Sequence, residues 1–102
     1  VELNPQVIEV LFMAIDEINL QLPADRRIEK SLDTALYGRI SKLDSLGLVN
    51  LILITEDKIE DFLGVTVDIA DQRAIAQENN PYLTVGSLSQ YISMLCTEAS
   101  ND

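Results

Sequence analysis

The sequence contains no histidine. That removes the imidazole base on which Ser-His and Cys-His nucleophile pairs depend. A single cysteine, Cys96, excludes an intrachain disulfide and leaves zinc with one thiolate and no imidazole. No Gly-rich phosphate loop is present among the four glycines. The longest apolar run, Leu46 to Ile54, is broken by Gly47 and Asn50. It falls far below the ~20 residues that span a bilayer. No signal-peptide pattern stands at the start, so a soluble, cytoplasmic protein is expected. Cations are also scarce. Seven bases face seventeen acids, for a formal charge of −10. This argues against nucleic acid and anionic membrane as partners, since both are met with basic patches. It fits partners with basic surfaces, and it equally fits plain solubility.

What remains is a chain of 102 residues, nearly half of them hydrophobic, which suits one small domain. Asn4-Pro5 reads as an N-cap followed by proline at the first helical position. Val7, Ile8, Leu11, Phe12, Ile15, Ile18 and Leu22 then recur at helical spacing, predicting a helix over about 5–22, stopped by Pro23. Residues 23–43 form a long connection. Ile28, Leu32, Ala35 and Leu36 predict a short helix over 28–37, with Gly38 as its C-cap. Leu36, Tyr37, Ile40 and Leu43 are expected to pin this connection to the core. Arg26, Arg27 and Lys30 read as solvated charges.

A second long helix is expected from Ser45 to Leu63, opened by Asp44 and Ser45 and ended by Gly64. Asp68 is expected to cap a short third helix bearing Ile69, Ala70, Arg73, Ile75 and Ala76. Asn79-Asn80-Pro81 breaks it. Thr84 caps a last helix whose buried stripe is Val85, Leu88, Ile92 and Leu95, with Tyr91 beside it. Cys96 belongs there as a small, partly buried apolar residue. No segment alternates convincingly as a strand, although Val65–Val67 is ambiguous. The fold class is therefore all-α, with one domain over 1–96 and a flexible polar tail over 97–102.

On a helical wheel, Leu48, Leu51, Ile52, Ile59, Phe62 and Leu63 form the core face of the second helix. Leu46, Val49 and Leu53 gather on an adjoining side, continued by Glu56, Asp57 and Glu60. Apolar anchors flanked by acids make a docking surface. The same apolar residues would equally serve to pack beneath the 23–43 connection. Ser45 at the helix start reads first as a cap. The free N–H groups and the dipole there also suit a phosphate.

The stretch "LDSLGLVNLI" resembles the modification site of acyl carrier proteins. In that family a serine in an Asp-Ser-Leu motif opens the second helix and carries 4′-phosphopantetheine. Asp44, Ser45 and Leu46 match the motif. Val49, Leu53 and the acids Glu56 and Asp57 match positions further along, and "LTVGSLSQYI" is similar to the family's last helix. The resemblance covers roughly residues 5–95. It implies a small four-helix bundle with a long first connection and a short third helix. It implies a non-catalytic carrier, likewise with no resident metal. Its arm would come from coenzyme A through a Mg²⁺-dependent phosphopantetheinyl transferase and attach to Ser45, with Asp44 assisting. Leu46, Val49, Leu53, Glu56, Asp57 and Glu60 would dock acyl-activating and acyl-transfer enzymes of lipid, polyketide or related biosynthesis through basic patches on those enzymes. The acyl chain would fold back among Ile54, Phe62, Ile69 and Ile75. A monomer is expected.

The chain departs from the family in three places. Lys42 stands where glycine usually precedes the aspartate by two residues. Gly47 and Asn50 stand where acids are common, and the second helix is about a turn longer. These changes suggest a specialised carrier. A peptidyl or aminoacyl carrier is the neighbouring alternative, although its motif more often has paired glycines. An unmodified helical interaction module, in which Ser45 is only a cap, is the alternative from another class.

Overall fold

The computed structural model describes residues 4–38, 41–70 and 81–100. They are all-helical, with three α-helices: α1 (Pro5–Asn19), α2 (Ser45–Leu63) and α3 (Val85–Ser100). A 3₁₀ turn covers Ala24–Arg26. No strand occurs among the described residues, only an isolated antiparallel bridge between Ala35 and Thr84. The short third helix expected after Asp68 falls mostly on residues 71–80, outside those described. Val65–Val67 has no regular structure.

Helix α1 starts as its sequence dictates. Asn4 is the N-cap and accepts from the Gln6 N–H at 2.9 Å, with Pro5 at the first helical position. Its buried side carries Val7, Val10, Leu11, Ala14, Ile15 and Ile18. Ile8, Phe12 and Leu22, expected in that stripe, are half-buried. The helix ends at Asn19 rather than at Leu22. From Leu20 to Leu22 each N–H donates three residues back, to Glu17, Ile18 and Asn19, which tightens the last turn. Asn19 then ties the connection down. Its side chain donates to the Ile28 carbonyl at 2.9 Å and accepts from the Ile28 N–H at 3.0 Å. Ile28 is thereby held in the core.

No helix forms over 28–37. The backbone there is committed to α3 instead. Leu36 N–H donates to the Leu83 carbonyl at 2.8 Å, and Val85 N–H donates to the Thr34 carbonyl at 3.0 Å. Gly86 N–H donates to the Leu32 carbonyl at 2.8 Å. Thr84 accepts from Ser87 N–H through Oγ1 at 3.0 Å, while Ser87 Oγ accepts from Thr84 N–H at 3.0 Å. Leu88 N–H completes the first turn on the Thr84 carbonyl. All four N–H groups that a helix start leaves over are therefore satisfied. Leu36 and Leu43 are buried by this arrangement, whereas Tyr37 stays half exposed. Ile40 lies outside the described residues.

Helices α1 and α2 make the most extensive packing, and α3 lies against α1. The core cluster joins all three with Ile28, Leu36, Leu43, Val67 and Ile69 from the connections. Three hydroxyls buried within it are satisfied internally. Thr55, Ser89 and Ser93 each donate to the carbonyl four residues back, at 2.7–2.8 Å. Ser93 Oγ also accepts from Asn4 N–H at 3.2 Å, fixing the start of α1 to α3. Helix α3 runs through Ser100, into the stretch expected as a polar tail. Among the described residues no helix is long and apolar enough to cross a membrane.

Gly86 is the tightest point of the crossing. A Cβ there would sit 3.0 Å from the Leu32 carbonyl oxygen, which is backbone and has little room to yield. In Gly86→Ala, straining the Gly86 N–H bond to the Leu32 carbonyl is expected to cost roughly 1–2 kcal/mol. The loss opposes the ~1 kcal/mol that alanine gains in helix propensity. Urea denaturation measures the balance, and a stabilised variant would contradict the account.

Candidate functional site

Asp44, not Ser45, caps α2. Its carboxylate Oδ1 accepts from the Gly47 N–H at 2.7 Å, and its carbonyl accepts from Leu48 N–H at 3.0 Å. Its backbone is extended, as an N-cap requires. Ser45 is the first helical residue and is exposed. Its hydroxyl takes no part in the cap. No described acceptor takes the N–H of Ser45 or Leu46, so donors and the positive end of the dipole stand beside that hydroxyl. At the other end Gly64 adopts the left-handed conformation at φ 67° and donates to the Glu60 carbonyl.

Along α2 the two faces separate as the helical period demands. Gly47, Leu48, Leu51, Ile52, Thr55 and Ile59 are buried. Leu46, Val49 and Leu53 are 68%, 50% and 55% exposed and do not pack beneath the connection. With Asp57 and Glu60, both exposed, they form one continuous ridge. Glu56 departs from that ridge. It is half-buried, and its Oε2 accepts from the Ile69 N–H at 2.8 Å. Tyr82 Oη donates to the carbonyl of the same Ile69 at 2.8 Å. Together they clamp the segment that follows α2.

Phe62, expected in the core, is 62% exposed, and Leu63 is half-buried. Ile59 is the last buried residue of α2, and the turn carrying these two runs past it. Of the residues expected to line an acyl chain, Ile69 is fully buried and Ile54 packs half-buried against the core. Phe62 faces outward, and Ile75 lies outside the described residues. Cys96 is buried, and burial pushes its thiol above the ordinary range, so it is poorly suited to attack.

Two expectations for the connection also change. Arg27 is not merely solvated. Its Nε donates to the Asn19 carbonyl at 3.2 Å and to the Leu22 carbonyl at 3.4 Å, covering the carbonyl end of α1. Lys30 pairs with Asp16 at 3.2 Å on the surface. These ties, like the Glu56 and Tyr82 clamp, join residues distant in sequence and leave no periodic signal. Among the described residues no group of three or more acidic, Cys or His side chains could hold a metal ion.

Beside Ser45 the surface is recessed. A hollow of about 430 Å³ is lined by Leu36, Tyr37, Gly38, Leu43 and Leu48, with Asp44 and Ser45 at the helix start. Its walls are mainly apolar.

The division of labour between the two residues is measurable. Asp44→Ala is expected to cost about 1 kcal/mol of stability as a lost cap. Ser45→Ala should stay within about 0.5 kcal/mol of the wild type, as an exposed non-capping site. Chemical denaturation of both variants checks this, and equal losses would return Ser45 to the cap.

No protein-family model, curated protein or solved structure gives a significant match to this chain.

Proposed function

We propose that this chain is an acyl carrier protein whose Ser45 bears a 4′-phosphopantetheine arm. The observation that carries the reading is the pairing at the start of α2. Asp44 performs the capping, which leaves the Ser45 hydroxyl exposed and uncommitted inside an Asp-Ser-Leu motif. A serine retained only as a cap has no reason to stand one position inside the helix. The fit to a phosphodiester is chemical: uncommitted N–H groups and the helix dipole favour an anion at that oxygen. When bound, the arm supplies a terminal thiol that carries an acyl group as a thioester.

The chain's own residues then have distinct tasks. Ser45 presents its oxygen to the pantetheine-side phosphorus of coenzyme A: the Oγ–P bond forms as the pyrophosphate P–O bond breaks, adenosine 3′,5′-bisphosphate leaves, and the hydroxyl proton passes to the transferase. Asp44, itself exposed, holds the helix start rigid through Gly47 N–H. Leu46, Val49 and Leu53 supply apolar contact to partner enzymes, and Asp57 and Glu60 steer their basic patches. Glu56 contributes charge only from a position already committed to Ile69. On this reading the fold is an acyl-carrier-like four-helix bundle. The protein works as a cytoplasmic monomer that carries cargo without catalysing its transformation.

An unmodified helical interaction module is the second reading. The exposure of Leu46, Val49 and Leu53 favours it as much as it favours a carrier. Intact mass separates the two. After incubation with coenzyme A, Mg²⁺ and a broad-specificity phosphopantetheinyl transferase, wild type is expected to gain one phosphopantetheine unit and Ser45→Ala none. No gain with several transferases would leave the interaction module. The ridge has its own test. Reversing Asp57 and Glu60 to lysine should lower kcat/KM of the transferase about tenfold at low salt, with the deficit shrinking as ionic strength rises. A deficit independent of salt would indicate a structural role instead.

A further inference from the structure

Resting on the carrier reading, we infer that the hollow on the connection side of Ser45 is the seat of the arm attached there. Three observations converge on it. First, Ser45 is itself part of the wall, so anything attached to its oxygen begins at the rim. A tether of that kind raises local concentration to the millimolar range, and weak contacts then suffice for occupancy. Second, the hollow's ~430 Å³ falls within the range of ~300–1,000 Å³ typical of small-molecule sites, toward the lower end. It suits a slender pantetheine chain and is too small to enclose a long acyl chain as well. Third, the lining matches that chain's chemistry. Leu36, Leu43 and Leu48 offer apolar walls to its dimethyl and methylene groups. The Asp44 carboxylate stands at the edge, where an amide N–H can reach it.

Gly38 has φ 100° and no side chain, and a Cβ placed there would meet nothing within 4 Å. Tyr37, 51% exposed beside it, has a ring surface available to cover an occupant. The seat lies on a different side of α2 from the ridge of Leu46, Val49 and Leu53. Leu48 turns toward the connection while those three face solvent. An arm in this hollow leaves the ridge clear for a partner. It is drawn out only when a partner offers better contacts.

The test compares the unloaded chain with the chain loaded enzymatically from coenzyme A, with complete loading verified by intact mass. Amide and methyl correlation spectra of the two forms are recorded, with isotope-filtered NOEs from the unlabelled arm to the labelled protein. The inference expects shifts at Leu36, Tyr37 and Gly38, distant from Ser45 in sequence. It also expects NOEs from the arm's methyl groups to the Tyr37 ring and the methyl groups of Leu43 or Leu48. In a second readout the arm's thiol is alkylated under limiting reagent. Tyr37→Ala, whose fold is checked by circular dichroism, should react roughly threefold faster than wild type. Complete loading with changes confined to residues 44–48, or centred on Leu46, Val49 and Leu53, overturns the seat while leaving the carrier reading intact. Unchanged alkylation with no NOE to the Tyr37 ring does the same. Failure to load at all removes the carrier reading, and the seat with it.

Discussion

The carbonyls of Leu32 and Thr34 accept from the first two N–H groups of α3, and much of the molecule follows from that contact. A helix start must find acceptors for its leading donors. Here the acceptors come from the connection between α1 and α2, which is thereby drawn across the end of α3. The crossing puts Leu36 into the core. It fixes where the chain stands as it turns toward Leu43 and Asp44, and so where α2 begins. A side chain at position 86 would crowd this approach, its Cβ standing 3.0 Å from the Leu32 carbonyl oxygen. The connection is long because it has to reach that crossing and return.

The two helix starts are treated in opposite ways by similar chemistry. At α3, Thr84 and Ser87 cap one another reciprocally, and the connection takes the remaining donors. At α2, Asp44 takes Gly47 and Leu48 and goes no further. The field at the first end is consumed internally. The field at the second is left directed at Ser45, an exposed side chain. Two helices of one small protein thus differ in whether their first donors are taken, and at α2 an exposed hydroxyl stands beside the untaken ones.

Elements whose causes are local were legible in the sequence. The caps at Asn4, Thr84 and Gly64 and the limits of α2 follow from residues within one turn of each boundary. The wheel of α2 separated Leu48, Leu51, Ile52 and Ile59 from Leu46, Val49 and Leu53 because burial there obeys the helical period. The 28–37 segment was misread for the converse reason. Its apolar spacing is helical, yet α3 claims its carbonyls and bends it into a bridge. Phe62 kept the angle of the core face but lay beyond the last buried residue. The roles of Glu56, Tyr82 and Arg27 were invisible, since each is a single hydrogen bond to backbone that the period of its own segment does not encode.

Charge is distributed with the same asymmetry. Five of the seven cationic side chains stand between Arg26 and Lys42, against three acids in the connection. Two of them are spent internally, Arg27 on the carbonyl end of α1 and Lys30 on Asp16. Lys58, on α2 itself, turns to Glu17 of α1 at 2.9 Å rather than to the acids of its own ridge. No described ion pair uses Asp57 or Glu60. Asp57, Glu60 and Asp61 stand exposed along the solvent side of α2 with no described ion pair, about three to four turns from Ser45. A field placed there orients an approaching basic surface before apolar contact begins. Exposed pairs elsewhere contribute little to stability. On the proposed carrier reading, this arrangement orders encounters with basic partners around the start of α2.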